Sequence, residues 1–269
     1  MTIPVALTIA GSDSGAGAGI QADLKTFAAF GVYGVTVITA VTAQNTVGVR
    51  DVQEVTPGTI GAQLDAVADD FDIASLKTGM LSSAAIIETV AAGIQRHQLR
   101  LLVVDPVMVA KSGDRLLRED AVEALRRLLL PLAHVVTPNI PEAEVLAVRT
   151  IRNRDDRLAA ARDIIQLGAQ AVVIKGGHSD EDPIVDLLLD QTGIHEYRAR
   201  RVATTSTHGT GCTFSAAIAA ALAQGQDLPS AVGEAHEYVS RALATAPGLG
   251  HGHGPLNHQV SAEALHVRR

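Results

Sequence analysis

Residues able to bind and react recur directly after short apolar runs: Gly11-Ser12-Asp13, Gln44-Asn45, Gly79-Met80, Asp105, Thr137-Pro138-Asn139 and Lys175-Gly176-Gly177. Amides, carboxylates and a lysine stand where serine or threonine would serve a plain turn. The densest constellation is Thr207-His208-Gly209-Thr210-Gly211-Cys212, which runs into a helical stretch of small residues from Thr213 to Ala223. Two glycines allow unusual dihedrals and close backbone approach, and free amides at a helix start point at any anion in front of them. Gly209, Thr210 and Gly211 therefore suit an anion hole for a phosphoryl group in flight. The positive helix end is expected to lower the Cys212 thiol pKa and ease proton acceptance. The same residues also read as a helix start with flexible glycines and a buried cysteine.

Lysine is scarce, at positions 25, 77, 111 and 175 only. Lys175 ends an apolar run and precedes two glycines, a placement suited to nucleotide phosphates or to a surface lysine that buries its stem. Asp105 and Glu142 follow different strand runs and suit a magnesium ion, while Glu142 also suits the first turn of a helix opening near Pro141. Asp23 shares the inward helix face of Ile20 and Phe27, either binding a ligand or satisfying backbone. The Gln44 amide fits a heterocycle or a turn. Gly15-Ala16-Gly17-Ala18-Gly19 lacks the third glycine and the distant acidic residue of a dinucleotide-binding turn, and no Gly-Lys-Ser/Thr phosphate loop occurs. His251, His253 and His258 lack the spacing of a usual zinc site.

Positioning these groups requires strands that end beside one another. Val5–Ala10, Val35–Val41, Ser75–Thr78, Leu101–Val104, Ala133–Val136 and Ala171–Ile174 are mostly continuous apolar runs, as expected for parallel strands buried on both faces. Ile20, Leu24 and Phe27, then Ile60, Leu64, Val67 and Phe71, then Phe214, Ile218 and Leu222 recur at helical spacing between them. Val185–Leu189 and His195–Tyr197 suggest antiparallel strands at one edge. The fold class is α/β, one doubly wound, mostly parallel sheet flanked by helices, spanning residues 1–269 as one domain with a loose tail from about residue 249. Ligands of such sheets bind outside the carboxyl ends of the strands.

Composition narrows the partners. Apolar residues form 47% and charged residues 19% of the 269, enough to bury a large core. Acidic residues outnumber basic ones 29 to 22, for a net charge of −7 that does not attract nucleic acid. The single cysteine fits a reducing compartment. No apolar stretch nears membrane-spanning length, and the apolar start lacks a basic flank, so a cytoplasmic protein is expected.

In order along nearly the whole chain, Ala6 to Asp13, Ala18 to Thr26, Val37 to Ala40, Ala43 to Thr46, Lys77 to Leu81, Asp105 to Met108, Ala110 to Gly113, Thr137 to Asn139, Pro141-Glu142, Lys175 to His178 and Thr207 to Cys212 resemble the ribokinase-like kinases. Within these they are similar to the hydroxymethylpyrimidine/phosphomethylpyrimidine kinases of thiamine biosynthesis. The resemblance implies a homodimer that uses ATP and magnesium to phosphorylate 4-amino-5-hydroxymethyl-2-methylpyrimidine and then its monophosphate. It implies that Asp23 and Gln44 hold the pyrimidine's polar edge beside Gly11, with Met80 and Val107 as apolar walls. Lys175, Asn139 and Thr207 would serve the nucleotide, Asp105 and Glu142 its metal, and Gly209 to Cys212 the anion hole with Cys212 as base. Ala16 and Ala18 stand where relatives carry more glycine, and His236 where some carry lysine. A pyridoxal kinase and a non-catalytic vitamin-binding regulator are the alternatives.

Overall fold

The structure, a computed structural model, describes residues 3–108, 119–178 and 182–261. Nine strands form one sheet: β1 (Val5–Asp13), β2 (Tyr33–Gln44), β3 (Val49–Glu54), β4 (Ile73–Thr78), β5 (Leu102–Val104), β6 (Ala133–Val136), β7 (Val172–Ile174), β8 (Ile184–Asp190) and β9 (Gly193–Ala199). Their order is β3-β2-β1-β4-β5-β6-β7-β8-β9. From β2 to β7 every neighbouring pair is parallel, while β3, β8 and β9 are antiparallel to their neighbours. The chain leaves β1 towards β2 on one side and returns at β4 on the other, so a switch point lies between β1 and β4.

Helices cover both faces: α1 (Gly19–Ala29), α2 (Pro57–Ala68), α3 (Ala84–Arg96), α4 (Glu119–Ala124), α5 (Ile140–Ala147), α6 (Arg154–Gln166), α7 (Thr210–Ala223) and α8 (Leu228–Ala244). Strand alternation explains why both faces need cover. Leu7, Ile9, Val104, Val136 and Ile174 join one buried cluster with α2, α3, α5 and α6, whereas Ala6, Val103, Val135 and Val173 join a second with α1, α7 and α8. The α7 alanines 216, 217, 219, 220 and 221 are fully buried, and Ser75 Oγ of β4 donates to the Ala219 carbonyl at 2.6 Å. Small side chains let this helix lie close to the sheet, which fixes its N-terminus over the ends of the central strands.

One strand was not anticipated, and one expectation is modified. The antiparallel strand β3 has no apolar alternation, because its residues face solvent along most of their length. Within the described part of the tail, which ends at residue 261, the chain is irregular but held: the His253 N–H donates to the Thr46 carbonyl at 2.7 Å, and Thr46 Oγ1 accepts from the N–H groups of His251 and Gly252. Leu256 is buried, and His258 Nε2 pairs with Thr213 Oγ1 at 2.9 Å. The glycines that suggested looseness serve close approach, since a Cβ on Gly252 would lie 2.2 Å from the Thr46 carbonyl oxygen. No helix among the described residues is long and apolar enough to cross a membrane.

Candidate active site

The carboxyl ends of β1, β2 and β4 to β7, with the start of α7, enclose a cavity of about 730 Å³. Gly11, Gln44, Met80, Asp105, Val107, Asn139, Glu142, Lys175, Thr207 and Gly209 to Cys212 all line it. Asp23 does not. It is fully buried behind the wall, where Lys77 Nζ approaches its two oxygens at 2.9 and 3.0 Å and Thr8 Oγ1 donates at 2.6 Å. The expectation that Asp23 holds a ligand edge is corrected accordingly: its inward helix face points at the sheet, and its partners are protein groups.

Lys77 is the residue that sequence reasoning passed over, because it sits inside an apolar strand run. Its ammonium is fully buried and its side chain borders the cavity. Burial opposes the charge, yet the carboxylates of Asp23 and Asp105 raise its pKa and keep it protonated. A lysine within a central parallel strand needs a buried carboxylate partner, and that rule was the available signal.

The turn before α7 is built by contact with the loop after β1. Gly209 is the N-cap residue at φ +80°, and a Cβ there would lie 1.8 Å from the Gly17 carbonyl oxygen, so only glycine fits. Asp13 organises that loop: its carboxylate accepts the N–H groups of Gly15, Gly17 and Ala18 and lies 2.8 Å from His208 Nε2. Burial works against its charge, but the bonds from His208, Ala18 and Gly15 outweigh it and hold the pKa below the usual range. The pair Asp13 and His208 was likewise missed, as it joins residues 195 apart in sequence. The Thr207 carbonyl accepts the Thr210 hydroxyl at 2.8 Å and closes the turn.

In front of the turn stand the charges. Lys175 Nζ is 3.0 Å from Asp105 Oδ1, and a Cβ on Gly211 would lie 3.2 Å from that ammonium. An ammonium and the free amides of a helix start thus face one space. Ser215 Oγ lies 3.3 Å from the other Asp105 oxygen. Asn139 and Glu142 realise the structural reading of that stretch, a reciprocal cap in which Glu142 N–H donates to Asn139 Oδ1 at 2.9 Å and Asn139 N–H to Glu142 Oε2 at 2.8 Å. Burial and the neighbouring Asp105 nevertheless push the Glu142 pKa up to about 7, against the pull of Lys175.

The expected lowering of the Cys212 pKa is overturned. Burial, with Asp23 and Asp105 nearby, pushes the thiol up to about 11 despite Lys77, so in the free protein it is neutral. His236 lines the cavity and is held through Nδ1 by Asp186 Oδ2 at 2.9 Å. Residues 110–113, one of the stretches that carry the family resemblance, lie outside the described residues. No group of three or more His, Cys, Asp or Glu among the described residues is placed to hold a metal ion by itself.

The chain is similar to known proteins over nearly its whole length. Residues 13–257 match the family model described as phosphomethylpyrimidine kinase. The chain is 49% identical over 259 residues to the hydroxymethylpyrimidine/phosphomethylpyrimidine kinase of Bacillus subtilis, covering 96% of both chains. It is 49% identical over 262 residues to the thiamine biosynthesis bifunctional protein ThiED of Geobacter sulfurreducens, covering 97% of this chain but only 54%, about half, of that longer protein. Among solved structures, the ADP complex of Bacillus subtilis pyridoxal kinase superposes with a TM-score of 0.90 at 41% identity, covering 98% of this chain and 100% of the other.

Proposed function

This chain belongs to the phosphomethylpyrimidine kinase family, and from that premise we propose that it transfers the terminal phosphoryl group of ATP to the alcohol of 4-amino-5-hydroxymethyl-2-methylpyrimidine and then to the resulting monophosphate. The observation that carries this reading is the ammonium of Lys175 set against the Gly211 backbone at the start of α7, with Cys212 one residue further on. Phosphoryl transfer asks a protein mainly for positioning and for positive charge around the moving group. Lys175 and the amides of Gly209 to Cys212 supply that charge; Asn139 and Thr207 border the nucleotide. Gly11, Gln44, Met80 and Val107 hold the heterocycle.

Asp105 and Glu142 fit a magnesium ion that enters with the nucleotide. Burial and Asp105 hold the Glu142 pKa up near 7 against Lys175, so a cation beside it would favour its charged form, and magnesium is commonly bound through one or two carboxylates plus substrate phosphates. When bound, the ion neutralises the phosphate oxygens. The protein's own part is to hold the acceptor in line and to keep like charge away from it.

That last point gives Cys212 its role. A neutral thiol at the helix start admits both an alcohol and a phosphate monoester, whereas a carboxylate there repels the second acceptor. Cys212→Asp is expected to impair the second transfer at least tenfold more than the first, a difference of about 1.4 kcal/mol in barrier. Equal loss in both steps, measured with each acceptor separately, would refute it.

A second reading is pyridoxal phosphorylation, favoured by the close superposition on a pyridoxal kinase. Incubation with magnesium-ATP and either alcohol, following ADP and the mono- and diphosphate products, separates the two; no ADP with either would favour a binding protein. We read the assembly as a homodimer, supported by exposed Val41, Val47 and Val52 on the β2–β3 hairpin. Light scattering tests it.

A further inference from the structure

Lys175 stands just beyond β7, a strand of only three residues, so the ladder does little to fix it. Its N–H donates to the Pro138 carbonyl at 2.9 Å, which holds one side of its main chain. The next residue, Gly176, is buried and has left the ladder with β8, where Val172 to Ile174 pair with Leu187 to Leu189. A buried amide in that place needs another acceptor. Asp186 of β8 provides it, its Oδ1 accepting the Gly176 N–H at 2.7 Å. The approach is close: a Cβ on Gly176 would lie 2.2 Å from the Val185 carbonyl oxygen, so glycine lets the turn lie against β8.

The second oxygen of Asp186 is 2.9 Å from His236 Nδ1 on α8. A carboxylate only accepts, so Nδ1 carries the proton. His236 Nε2 is buried with no hydrogen-bond partner among the described residues, and a proton there would be left unsatisfied. Asp186 and His236 are both largely buried, and both border the cavity with Lys175. With its two oxygens taken by different elements, the carboxylate is held against rotation. α8 is itself fixed on β9 by Tyr197, whose hydroxyl donates to the Pro229 carbonyl at 2.8 Å. A continuous series of contacts thus runs from α8 through His236 and Asp186 to the amide beside Lys175, whose ammonium meets Asp105 at 3.0 Å.

We infer that Asp186 and His236 are positioning residues for phosphoryl transfer, which hold the turn after β7 so that the Lys175 ammonium stays between Asp105 and the start of α7. Asp186 binds main chain next to Lys175 and leaves that ammonium to Asp105 and to the phosphates. His236 keeps Asp186 aimed at the turn. The inference rests on the transfer reading above and adds the residues that keep its positive charge in place.

Single-turnover transfer from labelled magnesium-ATP to 4-amino-5-hydroxymethyl-2-methylpyrimidine, which reads slow variants, tests it together with steady-state constants. Asp186→Ala is expected to lower the transfer rate about 10- to 100-fold, the scale of a misplacement of about 1 Å at a reacting centre. The pyrimidine KM is expected to change by less than about twofold, because the defect is confined to the nucleotide side. Asp186→Asn, whose amide oxygen still accepts the Gly176 N–H, is expected to keep most of the rate. In a Lys175→Met background, Asp186→Ala is expected to cost less than about threefold more, since no ammonium remains to be misplaced. Losses that multiply in full, or an undiminished rate in Asp186→Ala, overturn the inference alone. No transfer by the wild type overturns the functional reading with it. Should Asp186→Ala not fold, His236→Ala takes its place in the same cycle, with an expected loss of about fivefold that vanishes without the Lys175 ammonium. Nitrogen-15 NMR of the wild type adds an independent readout: a proton on His236 Nδ1 supports the contact, and a proton on Nε2 alone overturns it.

Discussion

At the scale of single residues, the most consequential groups are buried charges whose partners come from distant parts of the chain. Lys77 and Asp23 form a fully buried ion pair behind the cavity wall. Removing one partner leaves the other charged without compensation, so Lys77→Met is expected to cost about 3–5 kcal/mol. Lys77→Met combined with Asp23→Leu is expected to recover most of that loss. A double-mutant cycle in urea reads the coupling, and additive losses would show that the pair is not a unit. Asp13 is a different case, because it holds backbone as well as His208. Its depressed pKa means that its contribution is present above the ordinary carboxylate range and is lost as pH falls through the lowered value. Asp13→Asn is therefore expected to destabilise at neutral pH by about 2–4 kcal/mol and to flatten the acid limb of a pH–stability profile.

At the scale of elements, the helix starts carry the site. The N-terminus of α5 is closed by the reciprocal bonds of Asn139 and Glu142, and Glu142 is held near pKa 7 where its ordinary value is 4.5. The folded protein then binds a proton between those values that the unfolded chain releases. This contribution is fully present below about pH 4.5 and disappears as pH rises through about 7. In the absence of nucleotide and metal, Glu142→Gln is expected to remove that slope; melting curves at pH 5 and 8 check it, and an unchanged difference would refute the assignment. The N-terminus of α7 depends instead on contact without side chains. Gly209→Ala would drive a Cβ into the Gly17 carbonyl, so loss of activity together with at least about 3 kcal/mol of stability is expected. The segment from Gly250 to His258 ties Thr46 to the same turn. Gly252→Val should loosen it, measured as a rise in the pyrimidine KM with proteolysis beginning after Gly248.

At the scale of the whole molecule, the site exists because strands that are far apart in sequence end side by side. Any ligand that binds the folded form alone stabilises it, by about 2.7 kcal/mol at a hundred times its Kd. For a chain of this size magnesium-ATP at such a concentration is expected to raise Tm by roughly 5–10 °C. A shift with ATP that disappears on chelating the metal supports joint binding of the two.

The apolar runs of the parallel strands, the helix periods between them and the glycine turn before Thr210 were legible in the sequence, because burial on both faces and helix starts leave local patterns. The kinase family was legible for the same reason, since its motifs are short and ordered along the chain. What only the tertiary structure decided was which charges meet. Asp23 turned from the cavity to Lys77, Asp13 found His208, and Gly250 and Gly252 of the tail proved to be contacts with Thr46. The glycine turn stands at the start of α7, where the sequence placed it, but the thiol beside it is raised and not lowered in pKa, because desolvation depends on everything that surrounds a group and the helix dipole on its own helix alone.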